Sequence, residues 1–347
     1  MANIRFFSRP SRYFICWIIM ISILLIMRTS SQAQDTAQLI EGAKKEGKVI
    51  FYSAMALEDC DLMAKEFEKQ YPFLKVETLR MSGEKLLIKA LTEARAKSLK
   101  ADIFQASIIQ VSQMKKEGLL ARYVSPESNA FPAKFKDPEG FWNATYLLPY
   151  VITYNTKLIS PKDAPKSYAD LLNQKLKGKI GIDAEEIQWF FHLIKIMGRE
   201  KGIEFMKAFA KQNLMIRTGH TLLVTLCGSG EIPIVTVGYL DCVDEVKSQG
   251  APIEWVRFES SPIITAINAI SMVSNTPHPN AAKLFYNFVI SKEGARVFRK
   301  VFRVPANPDE QTPEIKAANL YPAHPEELLA NYKQAQKEWE EIFRPPK

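Results

Sequence analysis

The sequence predicts an α/β protein built around a mostly parallel sheet, because three features recur along the chain. Strand-like and helix-like segments alternate. The strand-like runs, such as KVIFYS at 48–53, have a continuous apolar centre, which is typical of strands buried on both faces. The helix-like segments carry apolar residues at helical spacing and stop at glycine or proline, as LEDCDLMAKEFEKQY does before Pro72.

A first helix and six further segments form one α/β unit. The helix DTAQLIEGAKKEG begins at Asp35 with Gln38 three residues on, which is a capping box, and ends at Gly47. Strands are predicted at KVIFYS, LKVETLRM and ADIFQAS, each followed by a helix: LEDCDLMAKEFEKQY, GEKLLIKALTEARAKS and IIQVSQMKKEG. This order predicts a first lobe with helices on both faces of its sheet.

The segment from Val124 to Asn155 is different in character. It is rich in proline, asparagine and aromatic residues, has no helical period, and ends in the strand-like YVITYN. We interpret it as cover for the first lobe followed by a crossover. A second alternating series then runs from PKSYADLLNQ to PIEWVRF, and ITAINAISMVSN resumes strand character before the helix PNAAKLFYNFVISKEGARVFRK. The tail ends in one amphipathic helix, PEELLANYKQAQKEWEEIF.

Residues 1–33 have the features of a cleavable secretory signal peptide. Arginines precede the apolar run YFICWIIMISILLIM, which is short for a membrane span. Ser31 and Ala33 place small residues at positions −3 and −1 of a cleavage site after Ala33. An uncleaved anchor is the alternative. Cys16 lies inside the apolar run and not after it, which argues against lipid attachment. The sequence therefore predicts a lipid-free periplasmic protein.

The charge of the chain does not favour nucleic acid as a partner. The formal net charge is +8, from 46 basic and 38 acidic residues. Removing the predicted leader takes away four arginines and no acids, which leaves 42 against 38 and a net charge of +4. No long Lys/Arg run occurs, and charges of both signs alternate in KKEGK and AKEFEK, as on solvated helix faces.

Three cysteines follow the predicted leader: Cys60, Cys227 and Cys242. An oxidising compartment permits a Cys227–Cys242 disulfide, since one short strand separates the two, and two buried thiols are the alternative. Cys60 is a candidate nucleophile, because a thiol near a helix N-terminus has a lowered pKa. However, Cys60, Met63 and Phe67 share one apolar stripe of their helix, which favours a core position.

Several strings resemble the extracellular solute-binding proteins of bacterial ABC importers, family 1 type, and most nearly their ferric-iron-binding branch. The strings are GAKKEGKVIFYS, AKEFEKQYPFLKVE, GEIPIVTV and above all NTPHPNAAKLFYNFVISKEGARVF, within about Thr36 to Pro308. The resemblance implies a type II periplasmic binding protein fold, with two α/β lobes joined by two crossover strands and an interlobe cleft. Lobe 1 is then 34–147 plus 262–310, lobe 2 is 148–261, and 311–347 is a C-terminal tail with a packing helix.

In such a fold the ligand lies between the lobes, at the carboxyl ends of strands, where helix N-termini present free N–H groups. The turns after the predicted strands therefore supply the candidate ligand-binding residues. In the first lobe these are Ser53, Met55, Ser82, Gly83 and Gln105. In the second lobe they are Trp189, Thr218, His220, Thr221 and Tyr239, with Tyr150 at the crossover.

A ferric ion is one ligand that the resemblance suggests. Ferric-binding members of the family hold the metal with adjacent tyrosines at the end of a second-lobe strand, sometimes with a histidine and an acid from the first lobe. Here Tyr239 lies at the matching strand end, but Leu240 follows it and no histidine lies near Ser53. We therefore predict no metal site. If iron does bind, Tyr239 is the best candidate ligand, with Glu84 or Asp241 as further oxygen donors.

A small anionic solute, of carboxylate or phosphonate type, fits the sequence better. SGEK and TGHT both have the composition of helix starts with a hydroxyl and a glycine, which donate N–H bonds to an anion. Arg80, Lys85 and Arg217 are near in sequence and add positive charge. The alternative for Ser82 and Thr218 is simple helix capping.

The sequence thus predicts the periplasmic substrate-binding component of an ABC transporter, which captures the solute and delivers it to an inner-membrane permease. The predicted protein is a monomer, has no cofactor and is not an enzyme. The alternatives are a ferric-iron-binding transport protein and an exported enzyme on the same fold. The enzyme is disfavoured because no nucleophile, base and orienting group fall together.

Overall fold

The structure, a computed structural model, describes residues 36–258, 261–323 and 325–344. The predicted signal peptide lies outside these residues. Among the helices within them, none combines the length and apolar character that crossing a membrane requires.

The helices lie close to the predicted segments. They are α1 (36–46), α2 (Leu57–Gln70), α3 (Gly83–Arg95), α4 (Ile108–Lys116), α5 (Ile187–Met197), α6 (Arg199–Ala210), α7 (His220–Ser229), α8 (Leu240–Ser248), α9 (Pro279–Ile290), α10 (Lys292–Lys300), α11 (Pro313–Ala317) and α12 (Pro325–Phe343). The last of them has the predicted bounds.

Within the described residues, twelve strands alternate with these helices. They are β1 (Lys48–Ser53), β2 (Lys75–Arg80), β3 (Ile103–Ser107), β4 (Leu120–Ala121), β5 (Asn143–Asn155), β6 (Ile180–Asp183), β7 (Met215–Arg217), β8 (Ile234–Tyr239), β9 (Ile253–Trp255), β10 (Ile263–Val273), β11 (Val304–Pro305) and β12 (Leu320–Pro322).

The main path of the sheet runs β2-β1-β3-β10-β5-β8-β6-β7. Strand β1 is parallel to β2 and β3, and β6 is parallel to β7 and β8. Between these two parallel groups, β10 is antiparallel to β3 and β5, and β5 is antiparallel to β8. Each parallel group carries its own helices, which confirms the predicted two-lobed α/β fold.

Strand β5 belongs to both lobes. Its residues up to Pro149 pair with β10, whereas those from Tyr150 to Asn155 pair with β8 and β9. We refer to the elements on the β10 side as the first lobe and to those on the β8 side as the second. The predicted boundaries, 34–147 plus 262–310 for one lobe and 148–261 for the other, stay predictions.

Aromatic side chains fill the core of each lobe. In the first lobe Phe285 packs edge-on against Phe51 and Phe67, with ring centroids 4.9 and 5.0 Å apart. In the second, Phe209 contacts Trp189 at 6.3 Å and stacks on Phe205 at 5.8 Å. The removal of these apolar rings from water is the main contribution to the stability of both lobes.

The predictions of two helices were wrong in detail. The segment 279–300 is two helices, because Ser291 interrupts the first and caps the second, its Oγ accepting a hydrogen bond from the N–H of Gly294 at 3.2 Å. PKSYADLLNQ forms only short 3₁₀ turns. Ser167 and Asp170 have the spacing of a capping box, and Asp170 accepts from the N–H of Ser167 at 3.0 Å, but no α-helix follows.

The three cysteines are free and buried, so the structure contains no Cys227–Cys242 disulfide among the residues that it describes. Burial raises the pKa of the Cys60 thiol to about 11 and that of Cys227 to about 12. Cys60 is fully buried in the core and is a neutral thiol at physiological pH, which is unfavourable for a nucleophile.

The C-terminal helix α12 packs across both lobes. It contacts α5 and α6 of the second lobe and α4 of the first. Trp339 and Phe343 pack on Phe190 at ring distances of 5.5 and 6.2 Å. The Trp339 Nε1–H donates to the carbonyl oxygen of Ala184 at 3.1 Å, in the turn between β6 and α5.

Candidate functional site

Three helices of the second lobe begin at one point. Glu186 immediately precedes α5, His220 is the first residue of α7, and Tyr239 immediately precedes α8. Parallel strands β6 and β8 deliver two of these helix starts to the same edge of the sheet. The Tyr–His–Glu cluster, which we define as Tyr150, Glu186, His220 and Tyr239, forms where they meet.

The side chains of the cluster contact one another closely. Tyr150 lies opposite Tyr239 in the β5–β8 register, and the two phenol oxygens are 3.4 Å apart. The imidazole of His220 packs on the Tyr239 ring with centroids 3.8 Å apart, and its Nε2 lies 3.2 Å from Glu186 Oε2. The Tyr150 hydroxyl also donates to Gln188 Oε1 at 3.3 Å.

The hydrogen bonds of His220 define its protonation. Its Nδ1 lies 2.7 Å from the carbonyl oxygen of Val237, which can only accept, so Nδ1 carries a hydrogen. In the neutral ring Nε2 is then an acceptor that faces the Glu186 carboxyl group. When the Glu186 carboxyl group is protonated, it can donate to this nitrogen, and the pair is then neutral.

Burial shapes the acid–base behaviour of the cluster. It raises the pKa of Glu186 to about 7, against the opposing effect of His220. Burial, and next the neighbouring Glu186, raises the pKa values of Tyr150 and Tyr239 well above their ordinary range. At neutral pH the phenols are therefore hydroxyl groups that can donate hydrogen bonds, and Glu186 is close to half-protonated.

The first lobe presents a neutral hydrogen-bonded network. Ser53 Oγ donates to Gln105 Oε1 at 2.6 Å and accepts from the N–H of Met55 at 3.2 Å. Gln105 Nε2 donates to Asn268 Oδ1 at 2.7 Å and to Thr145 Oγ1 at 3.3 Å. Ser53 and Gln105 are both fully buried, so this network fixes the strand ends.

The start of α3 carries the predicted pair Ser82 and Gly83. Ser82 is the N-cap residue, yet its exposed side chain makes no capping hydrogen bond. Gly83 lies against Gln110, whose side chain a Cβ at this position would approach to 3.3 Å. Near this turn, Arg80 Nε donates to the carbonyl oxygen of Met55 at 2.8 Å. The Ser82 hydroxyl is thus not used for helix capping.

The structure does not bring three of the predicted second-lobe residues into the cluster. Trp189 is fully buried, between Phe209 and Tyr168. Thr218 is exposed and precedes the N-cap residue Gly219. The Thr221 hydroxyl lies 3.5 Å from the sulfur of Cys242.

Two acidic residues lie in the turn after β6, within the stretch from Asp183 to Trp189 that the sequence also offered as a candidate contact. The sequence predicted Asp183 and Glu186 as caps of α5, and the structure turns the Glu186 carboxyl group to His220. Asp183 Oδ2 instead accepts from the N–H of Gly219 at 2.6 Å, which ties the start of α7 to the end of β6. Their position directly after a buried strand was the available signal.

A metal site made of histidine, cysteine and carboxylate ligands is not found among the described residues, where no three such side chains are grouped. The phenols of Tyr150 and Tyr239 are outside that set. Together with Glu186 they provide three oxygen atoms of the type that hard cations prefer.

Comparison with known proteins identifies the family. Residues 99–328 match the bacterial extracellular solute-binding protein family, and this match spans more than half of the chain. The chain belongs to that family, as its sequence predicted. It is therefore a transport binding protein by class, with a small-molecule ligand and a membrane permease as the partners that the class implies.

Individual relatives agree with this assignment. A probable ABC transporter periplasmic-binding protein, y4fP of Sinorhizobium fredii, is 22% identical over 249 residues, which are 68% of this chain and 68% of that protein. The structure of AfuA from Actinobacillus pleuropneumoniae, with fructose-6-phosphate bound, has a TM-score of 0.69 and 23% identity and covers 86% of this chain and 99% of its own. Iron-bound HitA from Pseudomonas aeruginosa has a TM-score of 0.68 and 18% identity, with coverages of 83% and 99%. At these identities the two structures show a common fold.

Proposed function

We propose that the protein is the periplasmic binding component of an ABC importer that captures a small anionic solute with a carboxylate, phosphonate or similar group. The solute lies in the interlobe cleft, against the Tyr–His–Glu cluster, and is delivered to an inner-membrane permease. In this role the protein binds its ligand and does not transform it.

The observation that carries the proposal is the meeting of three helix N-termini at the cluster. A helix start carries a partial positive charge and N–H groups without intrahelical partners, so the starts of α5, α7 and α8 together favour an anion. The hydroxyl groups of Tyr150 and Tyr239 add two donors that stay protonated at neutral pH. Protonation of Glu186, whose pKa is about 7, removes the repulsion that its free carboxylate would exert.

A similar structure supports this ligand class without defining it. AfuA was solved with fructose-6-phosphate, a sugar that carries an anionic group. In the present chain, the exposed hydroxyl of Ser82 at the start of α3 offers a donor from the opposite lobe. A ligand held from both sides would close the cleft by hinge motion about β5.

Thermal-shift screening of the mature chain tests the proposal. The panel consists of di- and tricarboxylates, alkylphosphonates, sugar phosphates and ferric citrate, since selective binding raises the melting temperature by mass action. We expect a selective increase with one anionic organic class, and its loss in Tyr239→Phe but not in Tyr154→Phe, a second-lobe phenol outside the cluster. Stabilisation by neutral or cationic solutes alone would reject the anionic ligand.

Ferric ion is the second candidate, and the phenol pair favours it. The sequence has no adjacent tyrosines, but the β5–β8 register brings Tyr150 and Tyr239 to an oxygen–oxygen distance of 3.4 Å beside Glu186. HitA, similar in fold, was solved with iron. Adding ferric nitrilotriacetate and recording the visible spectrum tests this. A phenolate-to-iron band that disappears in Tyr239→Phe would establish iron, and a colourless protein would exclude it.

Export completes the proposed function. We propose that residues 1–33 are removed by signal peptidase after Ala33 and that the mature monomer is free in the periplasm. N-terminal sequencing of the protein from a periplasmic extract should begin at Gln34. An intact Met1 in a membrane fraction would show an anchor instead.

A further inference from the structure

A buried group of charged side chains joins the two lobes behind the Tyr–His–Glu cluster. Arg303 lies between α10 and β11, and β11 pairs with β5 through Val304 and Leu147. This pairing places Arg303 beside the part of β5 where the strand passes from one lobe to the other. Its guanidinium group reaches two aspartates.

The two aspartates come from opposite lobes. Asp59 lies in the first turn of α2, and its Oδ2 accepts from Nε and Nη2 of Arg303, both at 3.1 Å. Asp241 lies in the first turn of α8 and accepts from Nη1. We call Arg303, Asp59 and Asp241 the interlobe triad.

Both helices start next to candidate ligand-binding residues. Helix α2 follows the turn that contains Ser53 and Met55, and Asp241 is two residues beyond Tyr239. The triad therefore ties together the strand ends that form the two walls of the cleft. None of its members belongs to the Tyr–His–Glu cluster.

Burial makes the pairing of the triad essential. The side chains are 24% exposed for Arg303, 10% for Asp59 and 3% for Asp241, and the guanidinium group also lies over the Tyr146 ring at 5.4 Å. Burial raises the pKa of Asp59, against the opposing effect of Arg303. Without the arginine, two buried carboxylates would face each other with no cation between them, which is strongly unfavourable.

We propose that Arg303 is a positioning residue that sets the angle between the lobes by holding the first turns of α2 and α8 together. Its loss leaves the two carboxylates to repel each other, and rotation about β5 relieves the repulsion. The consequence for affinity rests on the proposed solute-binding function. The lobe angle itself does not, because it is measured without ligand.

Pulsed electron–electron double resonance measures the distance between two nitroxide labels, and this distance changes with the angle between the lobes. Nitroxide labels at Lys85→Cys on α3 and Thr225→Cys on α7 place one exposed label on each lobe. The native Cys60, Cys227 and Cys242 are buried and stay unlabelled in the folded protein. All variants are compared as the protein without residues 1–33, with no added solute.

We expect Arg303→Gln to move the distance distribution to longer values and to broaden it, and Arg303→Lys to restore part of the original distribution. Adding Asp59→Asn and Asp241→Asn to Arg303→Gln removes the repulsion and should narrow the distribution again. The matched control is Arg296→Gln on α10, an exposed arginine that pairs with Glu310.

An unchanged distribution in folded Arg303→Gln would overturn the proposal, as would failure of the two asparagines to narrow it. If Arg303→Gln does not fold, Asp241→Ala is measured alone. This substitution removes the acceptor that ties α8 to Arg303 and should also widen the distribution, and an unchanged distance would again reject the proposal. If Arg303 only stabilised the fold, its substitution would lower the free energy of unfolding without changing the distance between the labels.

Discussion

The two walls of the proposed cleft differ in chemistry. The first-lobe wall, around Ser53 and Gln105, is a neutral network in which each polar group has a partner within the lobe. The second-lobe wall consists of the titratable groups of the Tyr–His–Glu cluster, at the starts of three helices. Under the proposed function, this difference gives the second lobe the role of selecting the ligand by charge and gives the first lobe the role of a rigid surface.

The largest expected effect tests the rigidity of the first wall. Gln105→Ala would leave the buried partners Ser53, Thr145 and Asn268 without their hydrogen bonds, so we expect a loss of about 3 kcal/mol in the free energy of unfolding. Urea denaturation of the variant measures it. Gln70→Ala, an exposed glutamine of the same lobe, should change stability by less than about 0.5 kcal/mol. Equal effects of the two substitutions would mean that the network is not rigid.

The next effect tests the role of the second wall in selection. Tyr239→Phe removes a hydroxyl that donates to the anion, which should weaken solute binding about 10- to 100-fold. Titration calorimetry with the solute found by screening measures the change, and Tyr154→Phe is the matched phenol outside the cluster. Unchanged affinity of Tyr239→Phe for the solute would show that the ligand does not contact this wall.

The titration of Glu186 gives an effect on stability that depends on pH. Its pKa is about 7 in the folded protein and about 4.5 when unfolded, so folding disfavours the ionised form. The wild-type protein should therefore lose stability as pH rises from 4.5 to 7, with the full loss retained above pH 7. Because Gln cannot ionise, Glu186→Gln should be more stable than the wild type by up to about 3 kcal/mol at pH 8 and by little at pH 4.5.

Thermal unfolding at several pH values measures this difference. Glu185→Gln is the control, since Glu185 is adjacent in sequence but exposed. A stability gain from Glu186→Gln that is the same at pH 4.5 and pH 8 would contradict the pKa difference.

The smallest expected effect separates ligand binding from helix capping at the first wall. Ser82 makes no side-chain capping bond, so Ser82→Ala should alter the free energy of unfolding by less than about 0.5 kcal/mol. Ser291→Ala removes a cap that accepts from Gly294, and should cost about 1 kcal/mol. If Ser82 contacts the anion, its loss weakens binding up to about tenfold at unchanged stability. Destabilisation equal to that of Ser291→Ala would show a capping role.

The fold was largely predictable, because helical and strand periodicity depends on residues that are close together in the sequence. Helix α12 has the predicted bounds, and the βα series of both lobes was recognised. The break at Ser291 was missed since apolar periodicity continues on both sides of it. There the capping bond of one serine decides between one helix and two.

The site was less predictable because it depends on contacts between distant segments. Tyr150 and Tyr239 are separated by 89 residues, and only the β5–β8 register brings their hydroxyls together. The sequence shows no adjacent tyrosines, so a phenol pair could not be inferred. Glu186 was taken for a helix cap because sequence spacing does not reveal toward which neighbour a carboxyl group turns.

The hydrogen bond from Trp339 to Ala184 places an indole at the turn that carries Glu186. Indole emission depends on the polarity and the hydrogen bonding around the ring, so movement of this turn shifts the wavelength of the emission maximum. Under the proposed function, this indole is an intrinsic reporter beside the cleft, and we expect solute capture to change the emission of the unlabelled protein.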